Sequence, residues 1–174
     1  MLSIEIVNVI ATTRIKGKIN VISLSKELPN TKYNPAIFAG LVYRRTDKPT
    51  IILFESGRIS SHGAKSEKTA KSAIVEILAE INKMGCVPKG VEIENITIQN
   101  VVGTANFGHE IDLESVYSTF PSSIYEPEQF PGLIYRPFNN SVVCLIFSTG
   151  KMVIAGATSE NEVGKAFQAV ANRM

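Results

Sequence analysis

The histidines and glycine-containing segments of this 174-residue chain are the first candidates for catalysis, metal binding or phosphate binding. His62 and His109 have no cysteine, serine or carboxylate set around them at catalytic or metal-ligand spacing. The segment most similar to a phosphate-binding loop is GRISSHGAKS, but Ala64 separates Gly63 from Lys65 and breaks the Walker spacing. An enzyme is therefore the less favoured class of function, and we expect no metal and no cofactor.

The composition is typical of a globular protein that resides inside the cell. Hydrophobic residues make up 44% of the chain and charged residues 20%, and the formal net charge of +2 does not by itself indicate nucleic-acid binding. Cys86 and Cys144 are the two cysteines of the chain, with no second cysteine pair and no nearby histidine at metal-ligand spacing. This pattern favours a reduced intracellular protein. The N-terminal segment MLSIEIVNVI lacks the features of a signal peptide, and no segment has the apolar length of a membrane span.

One phrase occurs twice in the chain, as YNPAIFAGLVYR at residues 33–44 and as YEPEQFPGLIYR at residues 125–136. The similarity extends over essentially the whole chain, which divides into two halves. A displacement of 92 positions aligns the N-terminal parts of these halves, and a displacement of 93 aligns Phe54 with Phe147 and the residues that follow. Two copies are too few for a solenoid. The repeat therefore predicts two similar halves, residues 1–90 and 91–174, that form a pseudo-symmetric pair.

Within each half, the pattern of residue types predicts a strand, a short helix, four strands and a longer helix. The opening strands, SIEIVNVIATTRI and IENITIQNVVGTANF, are rich in β-branched residues. Ser66 and Ser159 are the expected N-caps of the two longer helices. Antiparallel strands with helices on one side indicate an α+β fold. The helical side chains expected to face the core are Ala70, Ala73, Ile74, Ile77, Leu78, Ile81, Leu113, Val116, Tyr117, Phe120, Val163, Ala166, Phe167 and Val170.

The predicted sheet has a second face that the helices do not cover. Strand segments such as TIILF and VVCLIF are apolar on both sides, and an exposed apolar surface usually marks a binding site. Cover by another subunit or by bending of the sheet is the alternative. Basic residues recur at matched places, Arg44 with Arg136 and Arg58 with Lys151, which favours a symmetric anionic partner over solvated edge charges.

The repeated segments, together with VNVIATT and QNVVGTA, resemble the two direct repeats of the TATA-box-binding protein family over nearly the whole chain. The resemblance implies a saddle-shaped, pseudo-two-fold α+β molecule with one curved antiparallel sheet of about ten strands and helices on its convex face. It also implies a general transcription initiation factor that binds and bends A·T-rich promoter DNA through the minor groove. This family is itself a standard example of that mode of binding. The implied partners are promoter DNA, transcription factor B, RNA polymerase indirectly, and a second copy of the chain when DNA is absent.

The resemblance also implies roles for individual residues, each with a simpler alternative. The phenylalanines could instead be core residues, the asparagines could serve hydrogen bonding within the sheet, and the charges could be solvated. Residues expected to wedge between base steps are Phe38, Phe54, Phe130 and Phe147. Residues expected to face the minor groove are Asn8, Asn100, Ile10 and Val102. Residues expected to contact phosphates are Arg44, Arg58, Lys65, Arg136 and Lys151. The acidic loop expected to bind transcription factor B contains Glu126 and Glu128.

The chain departs from the family pattern at three positions. His62 and Ala155 stand where the family usually has a groove-facing threonine, and Thr158 stands where the first half has the basic Lys65. These departures support an alternative function, a divergent paralogue that acts mainly as a protein-interaction platform with weak or altered DNA specificity. The absence of a long N-terminal extension favours an archaeal-type core, which implies a cytoplasmic location, whereas a eukaryotic core would be nuclear.

Overall fold

The computed structural model describes residues 4–138 and 141–174. The chain divides into two compact units, one formed by residues 8–99 and the other by residues 1–7 and 100–174. The described residues form nine strands and four helices, so the predicted α+β class is confirmed with nine strands in place of about ten. In chain order these elements are β1 (Ile4–Arg14), α1 (Val21–Glu27), β2 (Thr31–Asn34), β3 (Phe38–Tyr43), β4 (Thr50–Phe54), β5 (Arg58–Ala64), α2 (Glu67–Lys83), β6 (Thr97–Asn106), α3 (Leu113–Tyr117), β7 (Gly132–Tyr135), β8 (Val143–Phe147), β9 (Lys151–Ala157) and α4 (Glu160–Ala171).

In the unit of residues 8–99, the strands lie in the order β2-β3-β4-β5-β1 and every pair of neighbours is antiparallel. Helix α2 packs on β5 and β4, and α1 lies beside β2. In β4 the side chains of Ile51 and Leu53 are fully buried on the helix side, while Ile52 and Phe54 on the opposite side are only half-buried. The helices therefore cover one face of these strands and leave the other face open, as the sequence predicts.

The unit that contains residues 100–174 repeats this arrangement with the strand order β6-β9-β8-β7. Helix α4 packs on β9 and β8, and α3 lies beside β7. In β8 the side chains of Cys144 and Ile146 are fully buried, whereas Val143, Leu145 and Phe147 are half-buried on the opposite side. The alternation of burial along β8 matches that along β4, so the two units expose equivalent faces.

The second half differs from its prediction because it has three strands after its short helix, not four. The segment equivalent to β2 makes only an isolated bridge between Ile124 and Ile134, closed by two backbone hydrogen bonds of 2.9 Å. In the first half, Ala39 continues β3 back to Phe38, which pairs with β2. Pro131 takes the place of Ala39 in the second half, and because proline has no backbone N–H, β7 begins only after it.

The caps of the longer helices are confirmed, and three of the predicted core positions are not. The backbone N–H groups of Thr69 and Glu162 donate to the side-chain oxygens of Ser66 and Ser159, each at 3.1 Å. Tyr117 is exposed at the end of α3, a helix of one and a half turns. Val116 in α3 and Leu78 in α2 are only half-buried. Among the described residues, no helix is long and apolar enough to cross a membrane.

Replacing either cap, by Ser66→Ala or Ser159→Ala, should lower the free energy of unfolding by about 1 kcal/mol, because an N–H at the helix start loses its acceptor. Urea denaturation followed by circular dichroism measures this change. Ser72→Ala is the matched control, since Ser72 is exposed within α2 and alanine favours helix. A cap variant as stable as this control would contradict the assignment.

Candidate nucleic-acid interface

We define the open face of each unit as the side of its strands opposite the helices. In the unit of residues 8–99, cross-strand pairing places Thr12, Ser60, Ile52 and Val42 in one row across β1, β5, β4 and β3. Because directly opposed residues share a face, this row runs across the open face. In the other unit, the equivalent row consists of Thr104, Val153, Leu145 and Ile134. Apart from the hydroxyl groups of Thr12, Ser60 and Thr104, the side chains of these rows are apolar, and neither row contains a carboxylate.

Each open face carries a pair of phenylalanine rings. The ring centroids of Phe38 and Phe54 lie 5.8 Å apart with the planes inclined at 71°, and those of Phe130 and Phe147 lie 5.8 Å apart at 62°. Phe38 is 44% exposed, which is unusual for a core phenylalanine. The structure thus brings the four predicted wedge residues together as two equivalent edge-to-face pairs.

A glycine lies beneath each phenylalanine pair, and sequence reasoning did not identify its role. A Cβ atom on Gly40 would lie 2.6 Å from the ring of Phe38 and 2.7 Å from Cγ2 of Ile52. A Cβ atom on Gly132 would lie 2.8 Å from the ring of Phe130. Glycine is therefore required for the rings to lie close to the strands. The signal was present in the sequence, because both glycines belong to the repeated phrase.

The two asparagines are held by equivalent backbone hydrogen bonds. The N–H of Gly63 donates to Oδ1 of Asn8 at 2.9 Å, and the N–H of Gly156 donates to Oδ1 of Asn100 at 3.1 Å. An N–H donor fixes the orientation of each amide, since only its oxygen can accept. Within the described part of the chain, the two Nδ2 groups have no acceptor. The asparagines therefore take part in hydrogen bonding within the sheet and still keep donors for a ligand.

Glycine bulges produce this arrangement. Gly63 and Gly156 have positive φ values of +84° and +80°, and at these points the registers of β1 with β5 and of β6 with β9 shift. A glycine in this conformation permits a bulge that re-aims the neighbouring groups. Ile10 and Val102, on the opposing strands, are half-buried on the open face, where they were expected.

Cationic side chains lie near the phenylalanine pairs. The guanidinium carbon of Arg58 is 5.8 Å from the ring centroid of Phe54. Lys151 and Phe147 line the same hollow of about 620 Å³ in the second unit. The predicted phosphate-contacting residues are all exposed, and they are Arg44, Arg58, Lys65, Arg136 and Lys151.

The loops before β3 and β7 differ in chemistry. Glu126 and Glu128 are exposed in a turn in which the carbonyl of Glu126 accepts from the N–H of Phe130 at 2.9 Å. The equivalent loop of the first half is apolar at its tip, where Ile37 is 84% exposed. Only the loop of the second half therefore offers a carboxylate pair.

His62 and Ala155 occupy equivalent places, directly before the bulge glycines. Nε2 of His62 lies 2.9 Å from Oγ of Ser60. Burial, and secondarily the positive charge of Arg58, lowers the pKa of His62 from its usual value of 6.5. The imidazole is therefore neutral at pH 7. Ala155 offers no polar group at the equivalent place.

The structure contains little that would support catalysis. Among the described residues, no group of three or more histidine, cysteine, aspartate or glutamate side chains could hold a metal ion. Burial raises the pKa of the Cys144 thiol to about 12, which keeps it protonated and unreactive. Cys86 is also buried, and burial raises its pKa.

Each unit has an open face with an aromatic pair, an amide donor and exposed cations, so the chain is a duplicated α+β protein with an equivalent candidate nucleic-acid surface in each unit. Residues 3–84 and 95–174 each match the family model described as "Transcription factor TFIID (or TATA-binding protein, TBP)". The chain belongs to this family of general transcription initiation factors, which is not a family of enzymes. The repeat is thereby confirmed, while its boundary at residue 90 stays a prediction.

Curated relatives and a solved structure agree with this membership. The chain is 40% identical to the TATA-box-binding protein of Pyrobaculum calidifontis, with 99% of this chain and 86% of the relative covered. It is 39% identical to that of Methanocaldococcus jannaschii, with 96% and 91% covered. The solved structure "Methanococcus jannaschii TBP" superposes with a TM-score of 0.82 at 38% identity, covering 98% of this chain and 97% of that one.

The lowered pKa of His62 predicts a loss of stability in mild acid. At His62, the unfolded state binds a proton more readily than the folded state. The contribution of the neutral imidazole to the free energy of unfolding is therefore complete above pH about 6.5 and is lost as the pH falls through the folded-state pKa of His62. The His62→Thr variant should lose less stability than the unmodified chain between pH about 7 and about 5. Urea denaturation at several pH values measures this, with His109→Gln as the matched control. Identical pH dependence in His62→Thr and the unmodified chain would contradict the expectation.

Proposed function

We propose that this chain binds and bends A·T-rich promoter DNA through the minor groove during transcription initiation. The observation that supports this most strongly is the equivalent placement, in both units, of a phenylalanine pair and an amide donor on an open apolar face. The matched relatives carry the name TATA-box-binding protein, which favours this function over a protein-interaction platform with weak DNA binding.

The phenylalanine pairs would act as wedges at the two ends of the site. An apolar ring that enters between base steps costs unstacking energy and kinks the duplex, and the kink brings more protein surface onto the DNA. The half-buried rings of Phe54 and Phe147 pack edge to face against the exposed Phe38 and the half-buried Phe130. Because each pair is supported from below by a glycine-containing strand, little rearrangement is required before insertion.

The asparagines would select A·T pairs. The minor-groove edge of an A·T pair offers only acceptors, N3 of adenine and O2 of thymine, whereas a G·C pair adds the N2 amino donor of guanine. Nδ2 of Asn8 and of Asn100 can donate to those acceptors, because each Oδ1 is engaged by a glycine N–H. Ile10 and Val102 would lie against the groove floor beside them.

The exposed cations would supply affinity rather than sequence preference. Arg44, Arg58, Lys65, Arg136 and Lys151 would contact phosphates at the edges of the site. Such contacts release counterions, so binding should weaken steeply as salt rises.

The acidic loop would give the complex a direction. Glu126 and Glu128 would bind transcription factor B, which would bring in RNA polymerase, and the apolar loop around Ile37 would not. In the absence of DNA, the open apolar faces would favour pairing with a second copy of the chain. We assign the chain no catalytic activity and no cofactor.

The direct test is fluorescence anisotropy on a labelled A·T-rich duplex, with and without transcription factor B, against a G·C-rich duplex of equal length. We expect tight binding to the A·T-rich duplex, strengthened by the factor and weakened by salt. Equal binding to both duplexes, or none at modest salt even with the factor, would refute the proposed function.

Changing Phe130 and Phe147 together to alanine should greatly reduce DNA bending, because no ring remains to wedge into one end of the site. Energy transfer between dyes at the two duplex ends measures the bend. Tyr117→Ala is the matched control, since it removes an exposed aromatic ring on α3, away from the open face. Unchanged bending in the double variant would show that the wedge assignment is wrong.

Changing Glu126 and Glu128 to glutamine should reduce recruitment of transcription factor B by about tenfold, as expected for the loss of charged contacts. Recruitment is measured as the concentration of factor that supershifts a preformed DNA complex. The matched gain-of-function variant carries Asn34→Glu and Ala36→Glu, which should let the first half recruit the factor too. Full recruitment by the glutamine variant would refute the role of this loop.

A further inference from the structure

The open faces of the two units differ in chemistry at the residue before the glycine that holds each asparagine. His62 precedes Gly63, whose N–H holds Asn8, and Ala155 precedes Gly156, whose N–H holds Asn100. The pairing of Thr50 with His62 in one unit corresponds to that of Val143 with Ala155 in the other. The residue that precedes the amide-holding glycine therefore carries an imidazole in one unit and a methyl group in the other.

The imidazole of His62 can either donate or accept a hydrogen bond. Its contact with the hydroxyl of Ser60 leaves both tautomers open, because a hydroxyl group both donates and accepts. When Nε2–H donates to Ser60, Nδ1 is an acceptor, and when the hydroxyl donates to Nε2, Nδ1–H is a donor. Burial and the charge of Arg58 keep the ring neutral, which preserves this choice at neutral pH.

An imidazole that can accept a hydrogen bond changes which base pairs this part of the open face can bind in a minor groove. An asparagine Nδ2 donor is opposed by the N2 amino group of guanine, since both are donors. A neutral imidazole nitrogen beside the amide can accept from that amino group. Ala155 has no acceptor, so in the other unit the amino group would meet only the donor of Asn100.

We propose that His62 is a specificity-determining residue that lets the half-site bound by residues 8–99 contain a G·C pair, while the half-site bound through Asn100 and Ala155 requires A·T. The recognised element would then be A·T-rich with one permitted guanine, on the side of His62. This inference rests on the proposed minor-groove binding and adds to it a difference between the two half-sites.

Inosine isolates the interaction, because it lacks only the N2 amino group of guanine. A single G·C pair is moved stepwise through an A·T-rich duplex, and at each step its affinity is compared with that of the same duplex carrying I·C. At one or more steps, the unmodified chain should bind the guanine duplex at least as tightly as the inosine duplex. The His62→Ala variant should bind the guanine duplex about tenfold more weakly than the inosine duplex, the usual cost of one mismatched pair.

The asymmetry gives a second prediction. On a symmetric A·T-rich site, the chain can bind in either orientation, so one G·C pair should be tolerated in either half. Two G·C pairs, one in each half, should weaken binding by about tenfold, since one of them must meet Ala155. The Ala155→His variant should restore tolerance of the second pair.

The outcomes distinguish this inference from the function on which it rests. Binding of the A·T duplex with an equal penalty for guanine over inosine in the unmodified chain and in His62→Ala would overturn the role of His62 alone. Failure of Ala155→His to relieve the doubly substituted site, with the variant folded by circular dichroism, would also overturn it. Failure of the unmodified chain to bind the A·T duplex would overturn both the inference and the proposed function.

Discussion

The one-sided cover of the strands is the constraint on which the rest of the structure depends. In each unit the helices bury one face of an antiparallel sheet, and burial of apolar side chains such as Leu53 and Ile146 is the main source of stability. The opposite face carries apolar side chains as well, but none of the described helices covers it. An exposed apolar surface of this kind usually marks a site where a partner binds. The charged edge and the absence of carboxylates from the central rows are compatible with a partner that is flat and anionic.

The backbone holds the side chains of the open face in place in the free protein. Glycine N–H groups at two bulges engage the asparagine oxygens, and glycines beneath the phenylalanine rings allow those rings to lie close to the strands. Ordering these side chains in the free protein reduces the entropy cost of binding. Replacing a central glycine therefore affects the site even though glycine contributes no functional group. The same logic explains why both glycines and rings occur in each repeat.

Comparison of the two halves made most of the architecture predictable. The repeat indicated both long helices with their serine caps and the matched basic residues, because each of these features occurs in both halves. The individual interface residues came from the family resemblance. Three details were not predictable from local patterns. Tyr117 fits a helical period but lies at the end of a helix too short to bury it. The strand before β7 shrinks to a single bridge because of Pro131, a long-range pairing effect. The bulges depend on register between strands, which residue types alone do not specify.

A symmetric fold carrying asymmetric side chains can impose direction in two separable ways. In the proposed function, the acidic loop would act only when a protein partner binds, so it would orient a complex that has already formed. His62 and Ala155 directly precede the glycines that hold the asparagines, so their difference would act when the chain first meets a groove. If the DNA sequence selects the orientation, the free-energy difference between the two orientations depends on how the two half-sites differ in sequence. A site that contains only A·T pairs would provide no such difference. Under this proposal, the protein partner would be the stronger source of direction at symmetric sites, and the imidazole of His62 would be the stronger source at sites that contain a single guanine.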